Sequence, residues 1–76
     1  MTRPYARYGR KIWYPDEMKY AQGERVVATE DYGLIHLGEA GTITGVPALT
    51  APSYLVMPDG TPGQTQLVPE DRLVPE

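Results

Sequence analysis

From Gln22 onward, glycine or proline interrupts the chain every few residues, and the apolar residues between the interruptions form runs too short for a packed helix. That punctuation constrains the fold more than any other feature. It predicts an all-β domain of short strands, a barrel or a sandwich. The segment GERVVAT reads as a first strand, with Val26 and Ala28 on one face and Arg25 and Val27 on the other. EDYGLIHLGEA follows as a long excursion, GTITGV as a second strand, and SYLVM as a third that pairs Tyr54 with Val56 and Leu55 with Met57. Pro58-Asp59-Gly60 is a turn signal. GQTQLV is the fourth strand, and its alternation puts Gln64, Gln66 and Val68 on one face, up to the proline at 69 that ends it. PEDRLVP predicts one helical turn and a last short strand, while PDEMKY upstream predicts a single turn started by Pro15.

Only 76 residues are available to bury a core. A domain of this size buries roughly 60% of the surface its unfolded chain exposes, so its stability is marginal without help. There is no cysteine, which excludes disulfides and thiolate-held metal, and His36 is the only histidine. Added stability is expected from self-association or a partner. No apolar run approaches the ~18 residues of a membrane span and no signal-peptide core is evident, so the expectation is a cytoplasmic protein with no membrane partner.

The net charge of −3 conceals a separation. Arg3, Arg7, Arg10 and Lys11 lie in the first twelve residues with no acid among them, giving +4; three further cations against ten acids leave −7 for the remainder. The division predicts a basic arm over residues 1–21 and an acidic barrel over residues 22–76. Four of the six tyrosines and the sole tryptophan, Trp13, fall in the first twenty residues. Such aromatic density suits an arm that docks, either on its own barrel or on another molecule.

Gly23-Glu24-Arg25-Val26, then Gly38-x-x-Gly41-x-Ile43-x-x-Val46, then Tyr54-x-Val56 and an Asp-Gly turn, resemble bacterial Src-homology-3-like small barrels, including the KOW type. The resemblance covers roughly residues 22 to 75 and implies a strongly bent barrel of five strands, with the arm extending outside it. Fold alone does not give function. Two relatives sharpen the likeness. In the type II, trimethoprim-insensitive dihydrofolate reductase, Leu49-Thr50, Tyr54-x-Val56, Pro62-Gly63, Gln66, Pro69 and Leu73 all have counterparts. That family's enzyme is a homotetramer around a central pore lined by a V-Q-I-Y strand, where NADPH meets dihydrofolate. Carried over, the motif is Thr65, Gln66, Leu67 and Val68, of which only the glutamine is kept. Valine in place of tyrosine removes a ring and a hydroxyl, and Ala28 stands where the family has a pore-mouth lysine. The second relative is the C-terminal barrel of the nitrile hydratase β subunit, a non-catalytic assembly element similar in YLVMPDG and QLVPEDRL.

The catalytic inventory is sparse. Ser53 has no nucleophile-elbow context, Asp59 reads as a turn residue, Glu70-Asp71 as the acidic start of a helical turn, and His36 as a loop histidine. No general acid, base or metal site is assigned. In the arm, Arg3, Tyr5, Arg7, Tyr8, Arg10, Lys11 and Trp13 interleave cations with rings, a pattern suited to a partner surface or to phosphates and stacked bases. The leading expectation is a non-catalytic interaction or assembly module, cofactor-free, docking through these residues on a protein partner or a second copy. The alternative is an NADPH-dependent reductase of the type II kind, using Gln66 with Thr65, Leu67 and Val68. A third is nucleic-acid binding through the arm, which the acidic barrel would oppose.

Overall fold

The computed structural model describes residue 12 and residues 14–76, and over that span the chain is all-β. Five strands, β1 (Arg25–Ala28), β2 (Ala40–Gly45), β3 (Ser53–Pro58), β4 (Gln66–Pro69) and β5 (Leu73–Pro75), form one antiparallel sheet curled into a half-barrel. Their order is β4-β3-β2-β1-β5, so the last strand returns to pair with the first. Two 3-10 turns, Pro15–Glu17 and Glu70–Arg72, occupy the places where the sequence predicts helical turns. Among the described residues no helix is long and apolar enough to cross a membrane.

Alternation sorts the side chains as the sequence predicts. Val26 and Ala28 of β1, Ile43 of β2, Tyr54 and Val56 of β3, Val68 of β4 and Leu73 of β5 point to the concave side and are buried. Each of the valine, isoleucine and leucine side chains contributes about 1.5–3 kcal/mol by leaving water. The outward neighbours Arg25, Leu67 and Val74 are exposed, while Val27, Leu55 and Met57 are half-buried. Sharp curling has a local cause in β2, where the register to β3 shifts between Ile43 and Gly45. A bulge of this kind bends the strand that carries it. Gly41 permits the close strand contact beside it, since a Cβ there would stand 2.7 Å from Val56 Cγ1 and 2.9 Å from the Met57 carbonyl oxygen.

The core begins before Gln22. Met18 and Tyr20, which the sequence reading places in the arm, are 2% and 4% exposed and pack with the strand residues. Tyr20 N donates to Tyr54 Oη at 3.0 Å, and the Tyr20 hydroxyl donates to the Leu73 carbonyl at 3.4 Å. Since β3 and β5 are separated by two strands in the sheet, one residue thereby ties its two flanks across the concave side. The two rings meet edge to face at 5.2 Å.

The fourth strand starts later than expected. Residues 61–65 turn instead, with Gln64 N donating to the Thr61 carbonyl at 3.1 Å and Gly63 at φ +86°. Gln64 is therefore exposed in a turn and does not share a strand face with Gln66 and Val68. Gly63 is the reason: adjacent to Pro62, it lets the chain take a left-handed corner that a strand would not contain.

Candidate functional site

The strand singled out by sequence, residues 65–68, lies at the edge of the sheet, and its four side chains divide. Thr65 and Leu67 are exposed, Val68 is fully buried in the core, and Gln66 is half-buried. Gln66 faces the long β1–β2 loop rather than open solvent. Its Nε2 donates to the Tyr32 carbonyl at 2.9 Å, and its Oε1 accepts from the Leu34 backbone N–H. A side-chain amide carries one acceptor group and one donor group, and both are engaged by one two-residue turn. That turn is itself closed by Tyr32 N to Ile35 O at 2.9 Å and Ile35 N to Tyr32 O at 3.1 Å, and it delivers Ile35, wholly buried, into the core. Gly33 sits at its corner with φ +57°, where a Cβ would collide with the Gln66 amide. Gln66 is thus a clasp between β4 and the loop.

Carboxylates fasten the loop further. Asp31 Oδ1 accepts from Leu37 N at 2.8 Å. Glu39 accepts from His36 N at 3.0 Å through one oxygen and from Gly60 N at 2.7 Å through the other, so it joins the loop to the β3–β4 turn. These two backbone donors hold the Glu39 carboxyl below its ordinary pKa. His36 is highly exposed in this loop, 4.0 Å from Asp31, as expected of a loop histidine.

On the convex face a charged cluster spans three elements. Arg25 donates from Nη1 to Asp59 Oδ1 at 2.8 Å, from Nη2 to Asp59 Oδ2 at 2.6 Å, from Nε to Glu76 Oε1 at 2.9 Å, and from Nη1 to Thr42 Oγ1 at 3.0 Å. The guanidinium lowers the Asp59 pKa, while the two carboxylates raise that of Arg25 beyond its already high value. Asp59 therefore does more than turn the chain.

A third polar group stands at the 3-10 turn before β5. The Tyr54 hydroxyl donates to Glu70 Oε2 and accepts from Tyr20 N, and Lys19 N donates to the same Glu70 oxygen at 3.4 Å. Burial, reinforced by the hydrogen bond to Glu70, pushes the Tyr54 phenol well above its ordinary pKa. Beside Glu70 lies a groove of about 230 Å³ lined by Ala51, Pro52, Pro69, Glu70 and Asp71. Glu70 N donating to the Pro52 carbonyl at 3.0 Å holds its two walls together.

The arm residues Arg3, Tyr5, Arg7, Tyr8, Arg10, Lys11 and Trp13 lie outside the described residues. Of the groups found here, the Gln66 clasp and the Arg25 cluster join residues more than thirty positions apart, which strand periodicity does not reveal. Among the described residues no group of three or more His, Asp or Glu is placed to hold a metal ion. Compared with family models, with curated proteins and with solved structures, the chain matches none.

Proposed function

We propose that this chain is a Src-homology-3-like small barrel that serves as a non-catalytic assembly module, docking through its basic, aromatic N-terminal arm on a protein partner or a second copy. The strand order with β5 returning to β1, the long β1–β2 loop and the single 3-10 turn before β5 support the barrel type. The observation that carries the functional reading is the engagement of Gln66. The one residue kept from the ligand-reading strand of the reductase-like relatives has both ends of its amide bonded to Tyr32 and Leu34 of its own chain, and Val68 beside it is core. A group already satisfied within its own chain gives up those bonds to read a ligand, a cost of about 1 kcal/mol for each. Charge supports the docking mode, since +4 over the first twelve residues against −7 over the remainder suits contact between arm and body.

Removal of residues 1–11 tests this directly and leaves Met18 and Tyr20 in the core. The expected outcome in native mass spectrometry is loss of the assembled species with a folded monomer remaining. An unchanged mass distribution sinks the proposal. Parallel assay of NADPH oxidation with dihydrofolate checks the reductase reading: turnover that disappears in Gln66→Ala would replace the module with an enzyme. Salt-sensitive retention of the full chain on single-stranded DNA or RNA, lost with residues 1–11, would instead identify a nucleic-acid partner.

A further inference from the structure

The groove at the 3-10 turn is lined by three apolar residues, Ala51, Pro52 and Pro69, and by two acidic ones, Glu70 and Asp71. Pocket volumes of roughly 300–1,000 Å³ are usual for small-molecule sites. At about 230 Å³ this one suits a single aromatic ring rather than a cofactor. Two prolines, which lack an N–H, and an alanine give the groove apolar surface for a ring, while the two carboxylates favour a neighbouring cation. Glu70 is committed to Tyr54 and Lys19 N. Asp71 is more available: its side chain is 75% exposed and its contact with Arg72 is 3.4 Å long. A ring flanked by cations is the chemistry of Tyr5, Arg7, Tyr8, Arg10, Lys11 and Trp13.

We infer that this groove receives the basic, aromatic N-terminal arm of a second copy of the chain. The inference rests on the assembly reading and names its receptor. Position and length favour the second copy. The described chain passes the groove at Lys19, whose N–H bonds Glu70, and the residues just upstream of that contact include two acids, Asp16 and Glu17. The cations instead spread over residues 3–11, nine positions that reach ~30 Å when extended. That reach carries a ring onto a neighbour. Exchange of arms in both directions gives a closed two-fold dimer in which the +4 of each chain's first twelve residues partly neutralises the acidic body of the other.

The test uses the full chain with the exposed substitutions Asp71→Lys and Ala51→Arg, each checked for an unchanged thermal melt. Both are expected to weaken dimerisation at least tenfold, and Arg7→Glu with Arg10→Glu is expected to restore dimerisation to Asp71→Lys. A photo-reactive residue at Tyr8, in an equimolar mixture of heavy- and light-isotope chains, is expected to cross-link to residues 51–52 or 69–71 in mixed-isotope pairs. Cross-links confined to single-isotope pairs, or to another face, overturn the inference. So does an undiminished dimer in both groove variants when removal of residues 1–11 dissociates it, an outcome that leaves the assembly reading standing.

Discussion

The two faces of this sheet use similar polar chemistry to different ends. On the concave side, Tyr54, Glu70 and Gln66 bond to the backbone or to each other within or beside the core, and each joins segments that strand pairing leaves apart. On the convex side, Arg25 gathers Asp59, Glu76 and Thr42 in view of solvent, with the Arg25 and Asp59 side chains 40% and 47% exposed. Water competes for every partner on the second face, whereas on the first it is kept from the Tyr20 N–H bond to Tyr54. The number of bonds favours Arg25; the consequence of losing one favours Tyr54.

The sharpest way to break the comparison is Tyr54→Phe. The ring and its edge contact with Tyr20 are retained, but the Tyr20 N–H loses its acceptor inside the core and Glu70 loses a donor. An unpaired buried donor costs about 1–3 kcal/mol, a large share of the stability of so small a domain. Chemical denaturation should show that loss with an unchanged m-value. The pH dependence follows from the direction of the shift. The folded phenol titrates above its unfolded value, so its contribution is complete below about pH 10 and declines as pH rises beyond that. Wild type should therefore lose stability more steeply than Tyr54→Phe above pH 10, and parallel curves would refute the assignment.

Next in size is Gln66→Ala, which opens the clasp. Two hydrogen bonds disappear, at about 1 kcal/mol each, but the freed Leu34 N–H and Tyr32 C=O lie in a partly exposed loop and can turn to water. The expected net loss is about 1–2 kcal/mol. A more diagnostic readout is amide hydrogen exchange, which should accelerate at Leu34 and Ile35 and remain unchanged at Val26 and Ile43. Acceleration throughout the sheet would mean that Gln66 supports the core itself rather than the loop.

Legibility in sequence follows the same division. Period-two alternation assigns Val26, Ala28, Tyr54 and Val56 inward because each rests on the next residue in line, and the punctuation by glycine and proline marks the corners. The same rule turns Gln66 inward but is silent about what it meets, since Tyr32 and Leu34 are brought to it by a loop thirty-odd residues upstream. Gln64 escapes alternation because Gly63 makes a turn where a strand was expected. Met18 and Tyr20 escape because a segment this short has no period to display, and their burial depends on the cavity that the finished sheet offers. The Arg25–Asp59–Glu76 cluster is invisible for a different reason: exposed charges are individually unremarkable until register sets them side by side.

The smallest effect is expected from Arg25→Gln, despite its removing more contacts than either change above. Exposed ion pairs contribute little because both partners keep much of their hydration, and salt screens what remains. The Asp59 carboxyl titrates below its ordinary value because of Arg25, so the contribution is present above about pH 4 and disappears as pH falls through the lowered folded value. Wild type and Arg25→Gln should accordingly differ most at neutral pH and low salt, and converge both in acid and in high salt. Glu39 supplies the control. Its carboxyl is also held low, but chiefly by the backbone N–H groups of His36 and Gly60, so Glu39→Gln should converge with wild type in acid and resist convergence in salt. Thermal melts over a grid of pH and ionic strength separate the two. If Arg25→Gln instead lowers the melting temperature as much as Tyr54→Phe and does so at high salt, the convex cluster is desolvated in the working protein, as it would be beneath a partner laid across that face.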